Sequence, residues 1–575
     1  MAEKIVSPGV FTRENDLSFI PQGVSEIGAA IVGPTVKGPA MIPITVNSFS
    51  EYAAKFGTTF QSGSKYYEYF TSLTADYYLR NSGALTVVRI LSGSYTPATA
   101  SVYYGTPSST ASFKLTTFGD GAIMNSAGTI GTNEALANGT ENNLRYEVSN
   151  VNNETGTFTL SVRRGDDTEN RKIYLEQFNN ISLDPNSTNY IARAIGDQYY
   201  TLMDASTSDP FIQLTGDYPP ISNYVRVSAV VDTVDYLDTN GNVRVPAASA
   251  SLPTAGSGSD GGAMSAGSDG EVTHPQQFFS ASYATNVQGY DPNTAYAPAI
   301  RLLKNSDEYD INLMVAPGVT LQDHGTTVSL MQTVAEERGD LFLVIDPVAH
   351  GQTTLATVTS QANNLISSYA ATYWPWVKMS APRINKNVWV PPSVVMPGVL
   401  SYNDSVSAEW FAPAGLTRGG IDVAVEAERK LTKANRDTLY DGRINPIATF
   451  PGQGITVFGQ KTLQKKATSL DRVNVRRLLI NLKKFIASTS RFLVFENNTS
   501  ALRNRFLATV NPYMESVQQG QGLYAFRVIM DETNNTPDVI DRNILKGDIY
   551  IQPARAAEFI IIDFSILPTG AQFGD

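Results

Sequence analysis

Three stretches of this chain carry three different patterns of apolar and polar positions. Residues 24–32 and 85–91 are mainly apolar stretches of strand length, and between them Tyr66, Phe70, Leu73 and Tyr77 recur at spacings of 4, 3 and 4. That spacing puts all four on one helix face, so the region reads as α/β. From about 93 to 300 the period drops to two, in Ser/Thr/Gly/Asn-rich runs such as Phe113-Lys114-Leu115-Thr116 and Thr157-Phe158-Thr159-Leu160-Ser161-Val162. Antiparallel β modules have this signature. A low-complexity loop at 255–262 interrupts them. After 300 the α/β pattern resumes. Strands are predicted at 311–316, 341–346 and 373–378, with helices through Leu330 and Val334 and through Leu355, Val358, Ala362 and Leu365.

The predicted fold class is therefore α/β and α+β multidomain. An N-terminal α/β domain at 21–92 plus 300–400 is discontinuous around an outer β-rich insertion domain at 93–215 and a second insertion at 216–299. A C-terminal α+β domain fills 401–556. Both ends differ from this body. Residues 1–20 contain Pro8-Gly9 and then Val10, Phe11 and Thr12, an extended arm without helical period. Residues 557–575 contain Phe559, Ile560, Ile561, Ile562 and Phe564, a β-type run. Unpaired strands at the extremes of a large chain predict strand exchange between subunits.

Composition narrows the class. Apolar residues make up 42 % of the 575 and charged residues only 17 %, against about 25 % in an average soluble protein. The chain is globular, with unusually much surface left for contacts. A net charge of −11 argues against nucleic acid as a direct partner. No apolar run approaches the roughly 18 residues of a membrane span, and the start does not read as a signal peptide. Cysteine is absent. Charge is unevenly spread: residues 401–575 hold 21 Lys and Arg against 18 Asp and Glu, leaving 22 against 36 before them.

Candidate chemistry is sparse. Asp346-Pro347 ends a strand where α/β enzymes place carboxylates, but Asp-Pro turn chemistry accounts for it more simply. The three histidines, His274, His324 and His350, match no zinc spacing. Gly454 to Thr462 fails as a phosphate loop, because Gln460 separates Gly459 from Lys461 and Ile455-Thr456-Val457-Phe458 reads as strand. No catalytic, cofactor-binding or metal-ligating set is predicted, so the chain does not read as an enzyme. The basic stretch 461–491 is more informative. On a helical wheel Val475, Leu478, Leu479, Leu482, Phe485 and Ile486 share one face, and Arg472, Arg476, Arg477, Lys483 and Lys484 cover the other. No acidic residue lies between Arg472 and Ile486, whereas solubilising faces mix signs. An acidic protein surface is the expected partner.

Several segments resemble the tail sheath proteins of contractile-tailed bacteriophages. They are Ser7-Pro8-Gly9-Val10, the stretch from Gly28 to Pro39 before a helix at 49–56, and Trp410-Phe411-Ala412-Pro413-Ala414-Gly415. The most specific runs from Ile444-Asn445-Pro446-Ile447 to Gly452-Gln453-Gly454-Ile455-Thr456-Val457-Phe458-Gly459-Gln460-Lys461-Thr462-Leu463, with Phe458 for the family's Trp and Lys461 for its Arg. The matches keep their order over 1–92 and 300–575; residues 93–300 carry no signature. The resemblance implies a virion structural protein, assembled in the host bacterial cytoplasm as a helical homopolymer of hexameric rings around an inner tail tube. Baseplate and tail terminator proteins are further implied partners, with neither nucleic acid nor membrane bound directly. Arms at both ends would add strands to neighbours, the basic helix would face the tube, and contraction would drive the tube through the host envelope. A β-rich receptor-binding or other virion structural protein is the alternative.

Overall fold

In a computed structural model of the chain, the described residues are 28–62, 64–91, 93–103, 111–231, 240, 252–256, 262–270 and 292–558. They divide into one unit of residues 28–481 with 553–558 and another of 482–552, the division falling within the helix Val473–Ser490.

The first unit is organised by an eight-stranded sheet. Its order from edge to edge is Ile44–Val46, Leu85–Arg89, Gly28–Gly33, Ile311–Thr320, Phe342–Asp346, Ala370–Trp374, Ile444–Phe450 and Gly454–Val457. The six inner strands run parallel, and the two edge strands are antiparallel to their neighbours. Parallel strands covered on both faces carry continuous apolar runs instead of alternation, and Gly28–Gly33, Leu85–Arg89 and Phe342–Asp346 are buried at every position. Ala30, Val32, Met314, Leu343 and Ile345 share a core with residues of the helices Pro292–Leu302, Gly325–Arg338 and Leu355–Asn363. The alternate residues Ala29, Ile31, Leu313, Val315, Phe342 and Val344 share a second core with the helices Phe70–Tyr78 and Pro392–Val406. The result is a helix–sheet–helix sandwich.

Local expectations hold or fail for identifiable reasons. The Phe49–Phe56 helix starts where Ser48 accepts a hydrogen bond from the Glu51 N–H. Tyr66 does not join Phe70, Leu73 and Tyr77. It lies on the strand Lys65–Glu68, which pairs with Thr59–Ser62, because the chain stays extended through Tyr69 (φ −73°, ψ 151°) and the helix begins at Phe70. The strand expected at 373–378 is two strands. Pro375 has no N–H for a ladder; Ala370–Trp374 stays in the large sheet, and Val377–Ala381 pairs with Lys386–Val390 and Ala424–Ala427.

Two antiparallel sheets of the β-rich stretch share a common core, and Tyr199–Met203 pairs with Phe211–Thr215 in a third. Of the two that share the core, one orders Val225–Val230, Ala111–Asp120, Tyr95–Tyr103 and Ser268–Asp269; the other orders Tyr174–Ser182, Thr157–Arg164 and Leu144–Asn152. The rings of Phe113 and Phe158 stack at 5.5 Å between them. Arg89, buried at the end of its strand, ties this module to the large sheet. Its Nη1 donates to the carbonyls of Gly38 (2.6 Å) and Asp120 (2.7 Å), while the Asp120 carboxylate accepts from the Ala40 N–H at 2.8 Å.

Asp346 is not an exposed carboxylate. It is fully buried and accepts from the Ser393 N–H (2.9 Å) and Oγ–H (2.5 Å), capping the first turn of the Pro392–Val406 helix. Burial pushes its carboxyl up to about 7, against the Ser393 hydrogen bonds.

Candidate assembly site

The hairpin of Ile444–Phe450 and Gly454–Val457 builds this site from the most specific sequence segment. Its turn uses Gly452 and Gly454 at φ 75° and 78°, values glycine adopts without strain. Beyond the hairpin, buried Asn445 holds the returning chain. Its Nδ2 donates to the Lys461 carbonyl (2.8 Å), and its Oδ1 accepts from the Lys461 N–H (2.6 Å). A side chain at Gly459 would meet Pro446 at 2.9 Å and Asn445 at 3.0 Å, so this close approach requires glycine. Lys461 folds back over the Tyr440 ring, 4.2 Å from its centroid, and its Nζ donates to the Tyr440 carbonyl at 2.7 Å. Burial first, and then the Arg472 charge, lower the Lys461 pKa.

This frame aims four donors at one carboxylate. Arg472 grips Glu558 with Nε (2.6 Å) and Nη2 (3.0 Å), the Tyr440 hydroxyl donates at 2.9 Å, and Gln460 Nε2 donates at 3.2 Å. Burial opposes the Arg472 charge, but hydrogen bonding to Glu558 and the charges around it leave its pKa raised. Bidentate arginine–carboxylate pairs of this kind are both strong and directional. Glu558 is the last described residue, immediately before Phe559. The clamp therefore fixes the root of the C-terminal apolar run. Phe559, Ile560, Ile561, Ile562 and Phe564, like Val10, Phe11 and Thr12, lie outside the described residues.

The basic helix corrects the sequence reading. Arg476 and Arg477 are 3 % and 7 % exposed, so they do not form a solvated face. Arg476 donates to Ser368 and stacks 4.1 Å over the Tyr369 ring. Arg477 forks onto Asp404, one arm at 2.8 Å; burial opposes its charge, yet Asp404 holds its pKa above the usual arginine value. Val473, Asn474, Val475 and Leu478 are buried around them, so this end of the helix is covered on every side. Arg472 is committed to Glu558. Lys484 is buried and Lys483 exposed. The acidic partners exist, but they come from this chain, 73 and 86 residues away in sequence.

The unit of residues 482–552 holds a second feature. Leu523–Ile529 and Asp548–Pro553 form a two-stranded sheet, beside the Ser500–Gln519 helix whose Phe506, Val510, Met514 and Val517 are buried. Tyr524 and Tyr550 are exposed. Among the described residues neither outer edge is paired, and two strands alone are marginal in water.

Comparison with known proteins fits these features. Residues 294–463 match the family model of the phage tail sheath protein central domain, and 465–566 that of the phage tail sheath C-terminal domain. The tail sheath protein of Vibrio phage KVP40 is 40 % identical over 191 residues, 33 % of this chain and 28 % of that one. That of Enterobacteria phage T4 is 31 % identical over 288 residues, 47 % of this chain and 44 % of its own. The chain thus spans less than half the length of these curated relatives. A sheath tail protein structure from Listeria innocua superposes with a TM-score of 0.51 at 11 % identity, over 88 % of this chain and 90 % of its own, a likeness of fold.

Proposed function

Because residues 294–463 and 465–566 belong to the phage tail sheath family, we propose that this chain is a structural subunit of a contractile tail sheath. It polymerises helically around an inner tube and, on contraction, drives the tube through the host envelope. It works as a virion component between baseplate and terminator and not as an enzyme. The β-rich stretch 93–299 faces outward, and 401–556 lies toward the tube. Arg472, Arg476 and Arg477 are engaged inside the chain, and Lys483, exposed on the same helix, faces an acidic tube. Such an exposed contact contributes about 0–1 kcal/mol.

The observation that carries this reading is the two-stranded sheet Leu523–Ile529/Asp548–Pro553, whose open edges fall in the segment matched to the sheath C-terminal domain. Open edges recruit strands from other chains. The residue 1–20 arm and the residue 559–575 run are the natural donors, and the clamp on Glu558 sets where the second one starts. Removing residues 1–15, or residues 559–575, is expected to leave a chain with the wild-type thermal melt that forms no tubes in negative-stain micrographs. Tubes of normal length from either truncation would contradict the strand-exchange reading.

A further inference from the structure

A separate surface deepens the sheath reading and rests on it for the presence of neighbouring copies. The turn after the Val473–Ser490 helix is closed by Val494 N–H donating to the Arg491 carbonyl (3.4 Å) and Glu496 N–H donating to the Leu493 carbonyl (3.3 Å). It holds Phe495 at φ 69°, a left-handed conformation that bulky residues rarely adopt. The Phe495 side chain is fully exposed (104 %), with Val494 at 60 % beside it. A strained backbone that puts an aromatic ring wholly into water has no local packing rationale. Observed strain of this kind points to a contact made elsewhere. Exposed Glu496 follows the ring, and exposed Arg491 lies at the other end of the turn.

The residue 28–481 unit carries a matching receptor. A cleft of about 390 Å³ is lined by Ile366 together with polar Ser367, Ser368 and Gln464 and charged Glu336, Lys465 and Lys466. That volume is within the roughly 300–1,000 Å³ of sites that take small organic groups. Ile366 is 53 % exposed on its wall, and Glu336 is held in place by Gln332 and Ser367, each at 2.8 Å. Exposed Ile366 beside two lysines complements a phenyl ring followed by Glu496.

We propose that Phe495 of one copy seats in the Ile366 cleft of a second copy, with Glu496 toward Lys465 and Lys466. Knob and cleft are different surfaces of the same chain, so the contact is heterologous, the class of contact from which open helical assemblies are built. Charge at the rim fixes its register, and the buried aromatic supplies the hold.

The absence of cysteine makes the test clean. Single-cysteine variants Val494→Cys and Gln464→Cys, which keep the Phe495 ring and the Ile366 side chain, are mixed and treated with a short bismaleimide, after melts confirm that both fold. A covalent mixed dimer is expected, at a yield at least about tenfold above either variant alone. Adding Glu496→Lys to the first variant should lower that yield about fivefold, and adding Lys465→Glu and Lys466→Glu to the second should restore it. No mixed dimer, or one indifferent to the charge swap, overturns the contact. Because the cross-link counts pairs of copies and not tubes, tubes without the cross-link would count against this contact alone. The cross-link without tubes would count against the sheath reading alone.

Discussion

Glu558→Lys is expected to abolish tube formation while leaving the chain folded. The carboxylate receives four donors, two of them from Arg472. Hydrogen bonds to a charged group are worth about 1.5–3 kcal/mol each when well formed. Arg472 and Glu558 keep 25 % and 17 % of their side-chain surface exposed, so the loss at this site is on the order of 2–4 kcal/mol. A lysine would also set a cation against the Arg472 guanidinium. The clamp lies outside both cores that pack against the large sheet, so its loss undocks the segment at Glu558 locally and the melt should move little. The residue 559–575 run would instead lose its fixed starting point, and sedimentable polymer should fall by about a hundredfold. Pairing the change with Arg472→Glu restores opposite charges and should recover part of the assembly. Full-length tubes from Glu558→Lys at the wild-type threshold would show that the clamp is incidental.

Asp346→Asn should change how stability depends on pH. The folded carboxyl titrates at about 7 and an unperturbed one at 3.8. Between those values the native state binds the extra proton. This group's contribution is therefore fully present below about pH 4 and is lost as pH rises through 7. The gap corresponds to about 4 kcal/mol. Asparagine stays neutral throughout, keeps an acceptor for the Ser393 N–H, and does not titrate. Urea unfolding at pH 4.5 and pH 8 should show wild type losing about 3–4 kcal/mol relative to the variant across that interval. A difference independent of pH would mean that Asp346 is not the buried titrating group.

Much of the fold was legible because its strands are buried on both faces. Residues 311–316 and 341–346 are apolar except for Asn312 and Asp346, and both fall in the parallel interior of the sheet. The break at Pro375 was legible in principle, since proline cannot donate to a ladder, but the apolar residues on either side hid it. The extended link at Tyr69 was not legible, because Tyr66 happens to keep the helical spacing. For the site, periodicity found the apolar face of the Val473–Ser490 helix but misjudged its opposite face. Charge patterning within one helix cannot reveal that Asp404 and Glu558 lie 73 and 86 residues away in sequence. One signal was available: Asn445 and Lys461 both belong to the most specific segment, and their mutual hydrogen bonds are what carry Gln460 to the clamp.

Neighbouring copies are expected to complete the sheet of Leu523–Ile529 and Asp548–Pro553. A cryo-electron microscopy reconstruction of tubes formed by the wild-type chain tests it most directly. Four strands are expected in that sheet, with residues 1–20 of one neighbour and 559–575 of another supplying the outer two. A sheet that stays two-stranded in the tube, or whose added strands come from the same copy, would contradict it.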